Sequence, residues 1–113
     1  MFEDKFEKMS VNDYANKSYD ELPEFVKLEG NVVNLNYNSN ERIIRVGFAD
    51  ETGAFAFSEK VDDHVFDYLN KCLTKKANTR LLFKKEDGKF TVVAFINVNE
   101  VEKHRAALKK KNK

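Results

Sequence analysis

Residues Arg45-Val46-Gly47-Phe48-Ala49-Asp50-Glu51-Thr52-Gly53-Ala54-Phe55-Ala56-Phe57 constrain the fold more than any other stretch, because two strand-like apolar runs meet there at Asp-Glu-Thr-Gly. Asp at the first turn position can bond its own backbone, and Gly at the fourth tolerates a left-handed conformation. With β-favouring residues on both sides, the segment predicts a tight hairpin. The rest of the chain must therefore build around an antiparallel pair.

From Phe25 to Tyr37 the apolar positions Val26, Leu28, Gly30 and Val32 alternate, and the phase then slips by one to Val33, Leu35 and Tyr37. A slip beside a glycine predicts a β-bulge. A long strand that changes face midway can serve two sheets, as the first strand of a small barrel must. Asn36 to Glu41 reads as a polar loop, and Arg42 to Ala49 and Ala54 to Ser58 are the arms of the hairpin. Over Lys60 to Lys75 the period becomes helical, with Val61, Val65, Tyr68, Leu69 and Cys72 on one face. Asp62 and Asp63 stand near its N-terminal end and Lys71, Lys75 and Lys76 near the other, the polarity that a helix dipole favours. Arg80 to Lys84 and Phe90 to Val98 are strand-like again, separated by the hairpin turn Lys85-Glu86-Asp87-Gly88-Lys89. Asn99 is placed to cap a short basic C-terminal helix carrying Val101 and Leu108. Three strands, a helix, two strands and a helix form the element order of the OB-fold, a five-stranded barrel with its helix between strands three and four. The expected class is thus all-β dominated with some α content.

At 113 residues the chain holds one domain, and 42% apolar residues with ten Phe suffice for a compact core. Residues 1–24 carry seven acids against three lysines and read as an acidic, mobile arm ending near Pro23. Residues 25–98 form the barrel, and residues 99–113, with six Lys or Arg against two acids, form a basic helix and tail. The net charge of +1 argues against a strongly basic nucleic-acid binder. Cys72 is the only cysteine, which excludes an intrachain disulfide and a multi-thiolate zinc site. With no apolar run near the roughly 20 residues of a membrane span and no signal-peptide core, the expectation is a soluble intracellular protein, cytoplasmic or nuclear, with no membrane partner.

Leu28-Glu29-Gly30-Asn31-Val32 followed by Phe48-Ala49-Asp50-Glu51-Thr52-Gly53 resembles the glycine-bearing first strand and the Asp-x-Thr-Gly turn of nucleic-acid-binding OB domains. Val92-Val93-Ala94-Phe95-Ile96-Asn97-Val98-Asn99-Glu100-Val101 is similar to the last strand and following helix of the replication protein A middle-subunit group. The resemblance covers about residues 25 to 108, and its motifs are short. It implies an OB barrel that binds single-stranded DNA or assembles with partner subunits, often through its C-terminal helix. Here only Val101 and Leu108, helped by Ala106 or Ala107, could form an apolar stripe on that helix, which argues against a stable bundle.

Sequence-tolerant binding of a single strand needs aromatic faces for bases and cations for phosphates. If Ala49 pairs with Ala54, Phe55 and Phe57 share a face with Phe48 and Val46 and belong to the core. If Asp50 pairs with Ala54 around a Gly53 bulge, they instead form a stacking platform. The resemblance favours the first register. Phe95 is the better contact candidate, since it matches the aromatic of the family's last strand and alternation separates it from Phe90, Val92, Ala94 and Ile96. Burial under the C-terminal helix is its alternative. Tyr37, at the start of the first loop, can stack on a base or cover the barrel end. Arg42 and Arg45 lie on the strand that OB domains use for binding, and Lys84, Lys85 and Lys89 surround the other binding loop. For all five cations, a solvated surface position is the alternative.

No catalytic constellation emerges. His64 and His104 lack a second ligand at metal spacing, Cys72 sits on the apolar helical face, and the adjacent Asp62 and Asp63 diverge and read as helix caps. There is no phosphate-cradling glycine loop and no cofactor is expected. The leading expectation is a single-stranded nucleic-acid-binding module, for DNA more than RNA, acting alone or as a subunit. The alternative is an OB-fold interaction subunit or inhibitor without nucleic-acid affinity, its small outer face of Gly47, Ala49, Ala54 and Ala56 packing on a protein partner.

Overall fold

The long strand β2 (Phe25–Asn38) organises the computed structural model of the chain, which describes residues 2–100. Before it lie a 3-10 turn at Phe2–Lys5, the two-residue strand β1 (Glu7–Lys8), the short helix α1 (Val11–Asn16) and a second 3-10 turn at Tyr19–Glu21. After it come β3 (Ile43–Asp50), β4 (Gly53–Lys60), α2 (Asp63–Thr74), β5 (Thr79–Glu86) and β6 (Lys89–Asn97). Along Phe25–Gly30, β2 pairs antiparallel with β5; from Asn31 onward it pairs with β3 on its other edge. One strand thus serves both halves of the sheet, whose order is β4-β3-β2-β5-β6.

From β2 onward the element order is the one expected: three strands, a helix, two strands. Two features depart from a closed five-stranded barrel. β1 adds a sixth strand, parallel to β2 through Glu7 with Val26 and Lys8 with Lys27. The terminal strands β4 and β6 are not paired with each other, so the sheet stays open along a seam between them. Side chains span that seam where a ladder would otherwise close it. The Val92 amide donates to Glu59 Oε1 at 3.1 Å, and the Phe57 and Phe95 rings lie nearly parallel with centroids 6.4 Å apart.

Two bulges set which faces are buried. The β2–β3 register slips between Val32 and Asn34, where the sequence predicts a slip. Val33 is the extra residue and is 53% exposed, so the inner face resumes at Leu35 and Tyr37 and does not include it. The β5–β6 register slips between Leu82 and Phe83, whose partners are Ala94 and Val92, leaving Val93 unpaired and 43% exposed. Gly30 sits where β2 passes from one partner to the other, and a methyl group there would run into the Ala49 carbonyl and the Phe48 ring. Around this crossover Val26, Leu28, Val32, Ile44, Val46, Phe48, Leu69, Cys72, Leu81 and Phe83 are buried in one cluster. Each of the larger side chains contributes about 1.5–3 kcal/mol by leaving water.

The hairpin takes the first of the two registers, with Ala49 opposite Ala54, Phe48 opposite Phe55 and Val46 opposite Phe57. Phe55 and Phe57 consequently pack on the core. Gly53 does not use its left-handed freedom: the positive-φ glycine is Gly88, which with Asp87 turns the β5–β6 hairpin. The Asp50 carboxylate holds the β3–β4 turn instead, accepting from the amides of Thr52 at 2.7 Å and Gly53 at 3.2 Å.

That same carboxylate overturns the reading of residues 1–24 as a mobile arm. Its Oδ2 accepts from the Val11 amide at 2.9 Å, and Thr52 Oγ1 accepts from the Asn12 amide at 3.0 Å, so the turn anchors the start of α1. Phe6, Val11 and Leu22 are buried, and Tyr14 packs among Phe55, Phe83 and Phe90 with ring centroids 5.2–5.5 Å away. Periodicity alone could not reveal this, because α1 is under two turns long and its anchor lies 39 residues away.

Helix α2 is capped by Asp62, whose carboxylate accepts from the Val65 amide at 3.0 Å. Its other end closes with Lys76 in the left-handed region (φ 52°), the Lys76 and Ala77 amides returning to the carbonyls of Leu73 and Cys72. After β6 a helical turn opens at Val98, and its cap is Asn97, not Asn99: Asn97 Oδ1 accepts from the Glu100 amide at 3.1 Å. The expected basic helix and tail lie, beyond Glu100, outside the described residues.

Candidate functional site

The open seam gathers part of the predicted set around a residue the sequence reading assigned to the start of the helix. Lys60, the last residue of β4, is exposed and lines three adjoining clefts. One runs between β4 and the start of β6 with Lys89 and Phe90 on its far wall. A second holds Arg42, Val61 and Asp62. The third, about 610 Å³, lies between the first turns of α2 and the β6 edge and reaches Val93, Phe95 and Tyr68. Arg42, Lys89 and Phe95 therefore converge on Lys60 from different elements. Arg45 lies two rows along the ladder from Lys60, opposite Ser58, which lines the first of these clefts.

Each member arrives by a local cause. Arg42 is not on the strand as expected. It is the last loop residue, held at φ 56° while its carbonyl accepts from the Val61 amide at 2.9 Å, which ties the loop to the exit of β4. Lys89 follows the Asp87-Gly88 turn and stands on the opposite bank of the seam. Phe95 was expected to point away from Phe90 and Val92; the extra residue Val93 inverts the phase, so Phe95 joins them on the core side and lies over Phe57. It remains partly exposed and lines the third cleft.

Tyr37, Lys84 and Lys85 go elsewhere. Tyr37 stacks on Phe66 at 4.8 Å and donates its hydroxyl to Asp63 Oδ1 at 2.7 Å, covering the start of α2 and offering no free face on that side. That bond to Asp63 raises its phenol pKa, with burial adding to it. Lys84 reaches toward the ring of its cross-strand partner Phe25 at 5.9 Å, and Lys85 lies over Tyr19 of the N-terminal segment at 4.6 Å, so neither lines the seam clefts.

The clefts set Arg42, Lys60 and Lys89 among three acids, Glu41, Glu59 and Asp62, two of which are bonded to backbone amides. Asp62 is engaged with the Val65 amide and Glu59 with the Val92 amide. Among the described residues, the ion pairs gather instead on Arg80, which contacts Glu3 at 2.7 Å and Glu29 at 2.8 Å, and between Lys8 and Glu29; none involves Arg42, Lys60 or Lys89. Glu59 also neighbours Tyr14, whose hydroxyl is pushed up to about 12, first by burial and then by that carboxylate. Lys60 is the residue sequence reasoning missed. Alternation along Ala54, Ala56, Ser58 and Lys60 marks it as an outward strand position, and its partner across the ladder is Ile43, next to Arg42.

The arrangement sets three cations among three carboxylates beside a partly exposed aromatic residue, Phe95. Among the described residues there is no cluster of three His, Cys, Asp or Glu side chains placed to bind a metal ion, and no helix is long and apolar enough to cross a membrane. Cys72 is buried, its thiol pKa raised chiefly by desolvation. No protein-family model, curated protein or solved structure matches the chain.

Proposed function

We propose that this chain is an OB-like module that binds single-stranded nucleic acid, DNA by preference and with little sequence selectivity, and that it has no catalytic role. The observation that carries the reading is the gathering of Arg42, Lys60 and Lys89 around the end of β4, none of them in an ion pair among the described residues, beside the partly exposed Phe95. Cations that track phosphates next to aromatic surface are the two ingredients of sequence-tolerant single-strand binding. The order strand-strand-strand-helix-strand-strand supports the OB-like part of the reading, with the seam as its departure from a closed barrel.

Fluorescence anisotropy of labelled oligo-dT and a matched RNA, across a salt series, tests it. The expected result is saturable binding that weakens with salt, with Lys60→Ala and Lys89→Ala each lowering the salt slope by about 0.7. Absence of binding at low salt and high protein concentration overturns it.

A second reading has its own support. Among the described residues Val33 and Val93 are the exposed large hydrophobics, and the outward positions Ala54 and Ala56 leave a low-relief face on β4. An interaction subunit would use these surfaces, and its partner binding would be indifferent to Lys60→Ala.

A further inference from the structure

We infer that the cleft between α2 and the β6 edge is a pocket for one base of the bound strand. This inference rests on the nucleic-acid reading and adds to it a place for the base itself. The edge of β6 that faces away from β5 is occupied at two points: the Val92 amide donates to Glu59, and the Asn97 amide donates to the Tyr68 hydroxyl at 2.5 Å. Phe95 is in phase with both, since the extra residue Val93 lets the step from Val92 to Phe95 count as one alternation. Its N–H and C=O therefore point out of the same edge, into the cleft, as an adjacent donor and acceptor. That is the complement of the donor and acceptor pattern on a base edge.

The walls fit the rest of a base. Val61, Val65 and Val93 are apolar, and Tyr68 and Phe95 contribute rings. At about 610 Å³, the cleft falls in the range of small-ligand pockets. Lys60 stands at its mouth, where it also borders the clefts of Arg42 and Lys89. A strand whose phosphates follow these cations passes the mouth of the cleft and can turn a base into it. Unstacked bases held against aromatic side chains and bonded on their edges are the usual way of reading single strands.

The test compares oligo-dT with an abasic oligomer of the same length and charge, on the full chain at low salt. The pocket predicts about tenfold or more tighter binding of oligo-dT. It also predicts that Val65→Phe, which fills the cleft, brings oligo-dT down to the abasic level and leaves abasic binding unchanged. In the unmodified chain the Phe95 amide resonance should shift with oligo-dT and not with the abasic oligomer, which decides the matter even if Val65→Phe does not fold. Equal binding of the two oligomers, with the Phe95 amide unmoved, overturns the pocket and leaves the nucleic-acid reading standing. Failure of both oligomers to bind overturns that reading, and the pocket with it.

Discussion

Single positions carry much of what makes this chain adopt one register. Gly30 is the clearest, because any side chain there meets a backbone carbonyl that cannot move without opening the β2–β3 ladder. Gly30→Ala is expected to cost about 2–3 kcal/mol in urea unfolding, the upper range for overpacking a core. Lys76 is the opposite case, a non-glycine residue in the left-handed position that closes α2. Lys76→Gly should raise stability by about 1 kcal/mol, read as a higher melting temperature with unchanged structure. Gly30 was legible from the alternation of Val26, Leu28 and Val32 around it; Lys76 was read only as a favourable charge, since nothing in local sequence announces a left-handed lysine. Phe95 shows how one residue can defeat pattern reading. The valine-rich run Val92-Val93 hides which of the two is the bulge, and the face of every residue after it depends on that choice.

At the level of elements, the β3–β4 turn proves to be a clamp. Its four residues were legible as a turn, and the register was narrowed to two, but its partner α1 was not legible because the contact is long-range and made by backbone amides. Desolvation would raise the Asp50 carboxyl, yet hydrogen bonds from Thr52, Val11 and Gly53 outweigh it and hold its pKa below the ordinary value. A folded pKa below the unfolded one means that this stabilisation is present above the unfolded pKa and fades as the pH falls through the folded pKa. Asp50→Asn should therefore lower stability near neutral pH and flatten its dependence on pH across the acid range, measured by unfolding at a series of pH values. Hydrogen exchange at the Val11 and Asn12 amides should quicken in the variant. Unchanged exchange there would show that α1 is held by Val11 and Tyr14 packing alone.

For the molecule as a whole, the open seam is where sequence and structure diverge most and where function is proposed. The order of elements and the central role of the long strand were legible because each depends on local periodicity. Whether the terminal strands meet is set by the accumulated twist of the sheet and by two extra residues, Val33 and Val93, and that sum is not written at any one position. The candidate site inherited the same limit. Arg42, Lys89 and Phe95 were named for their element, while Lys60, which joins them, was read as the start of a helix. The most direct test of the account is to map amide chemical shifts of the full chain during titration with oligo-dT. Changes are expected to concentrate at Arg42, Lys60, Lys89 and Val92–Ile96, around the end of β4 and along β6. Changes confined to the outer face around Asn36, Arg45 and Gly47, with the seam silent, would contradict it.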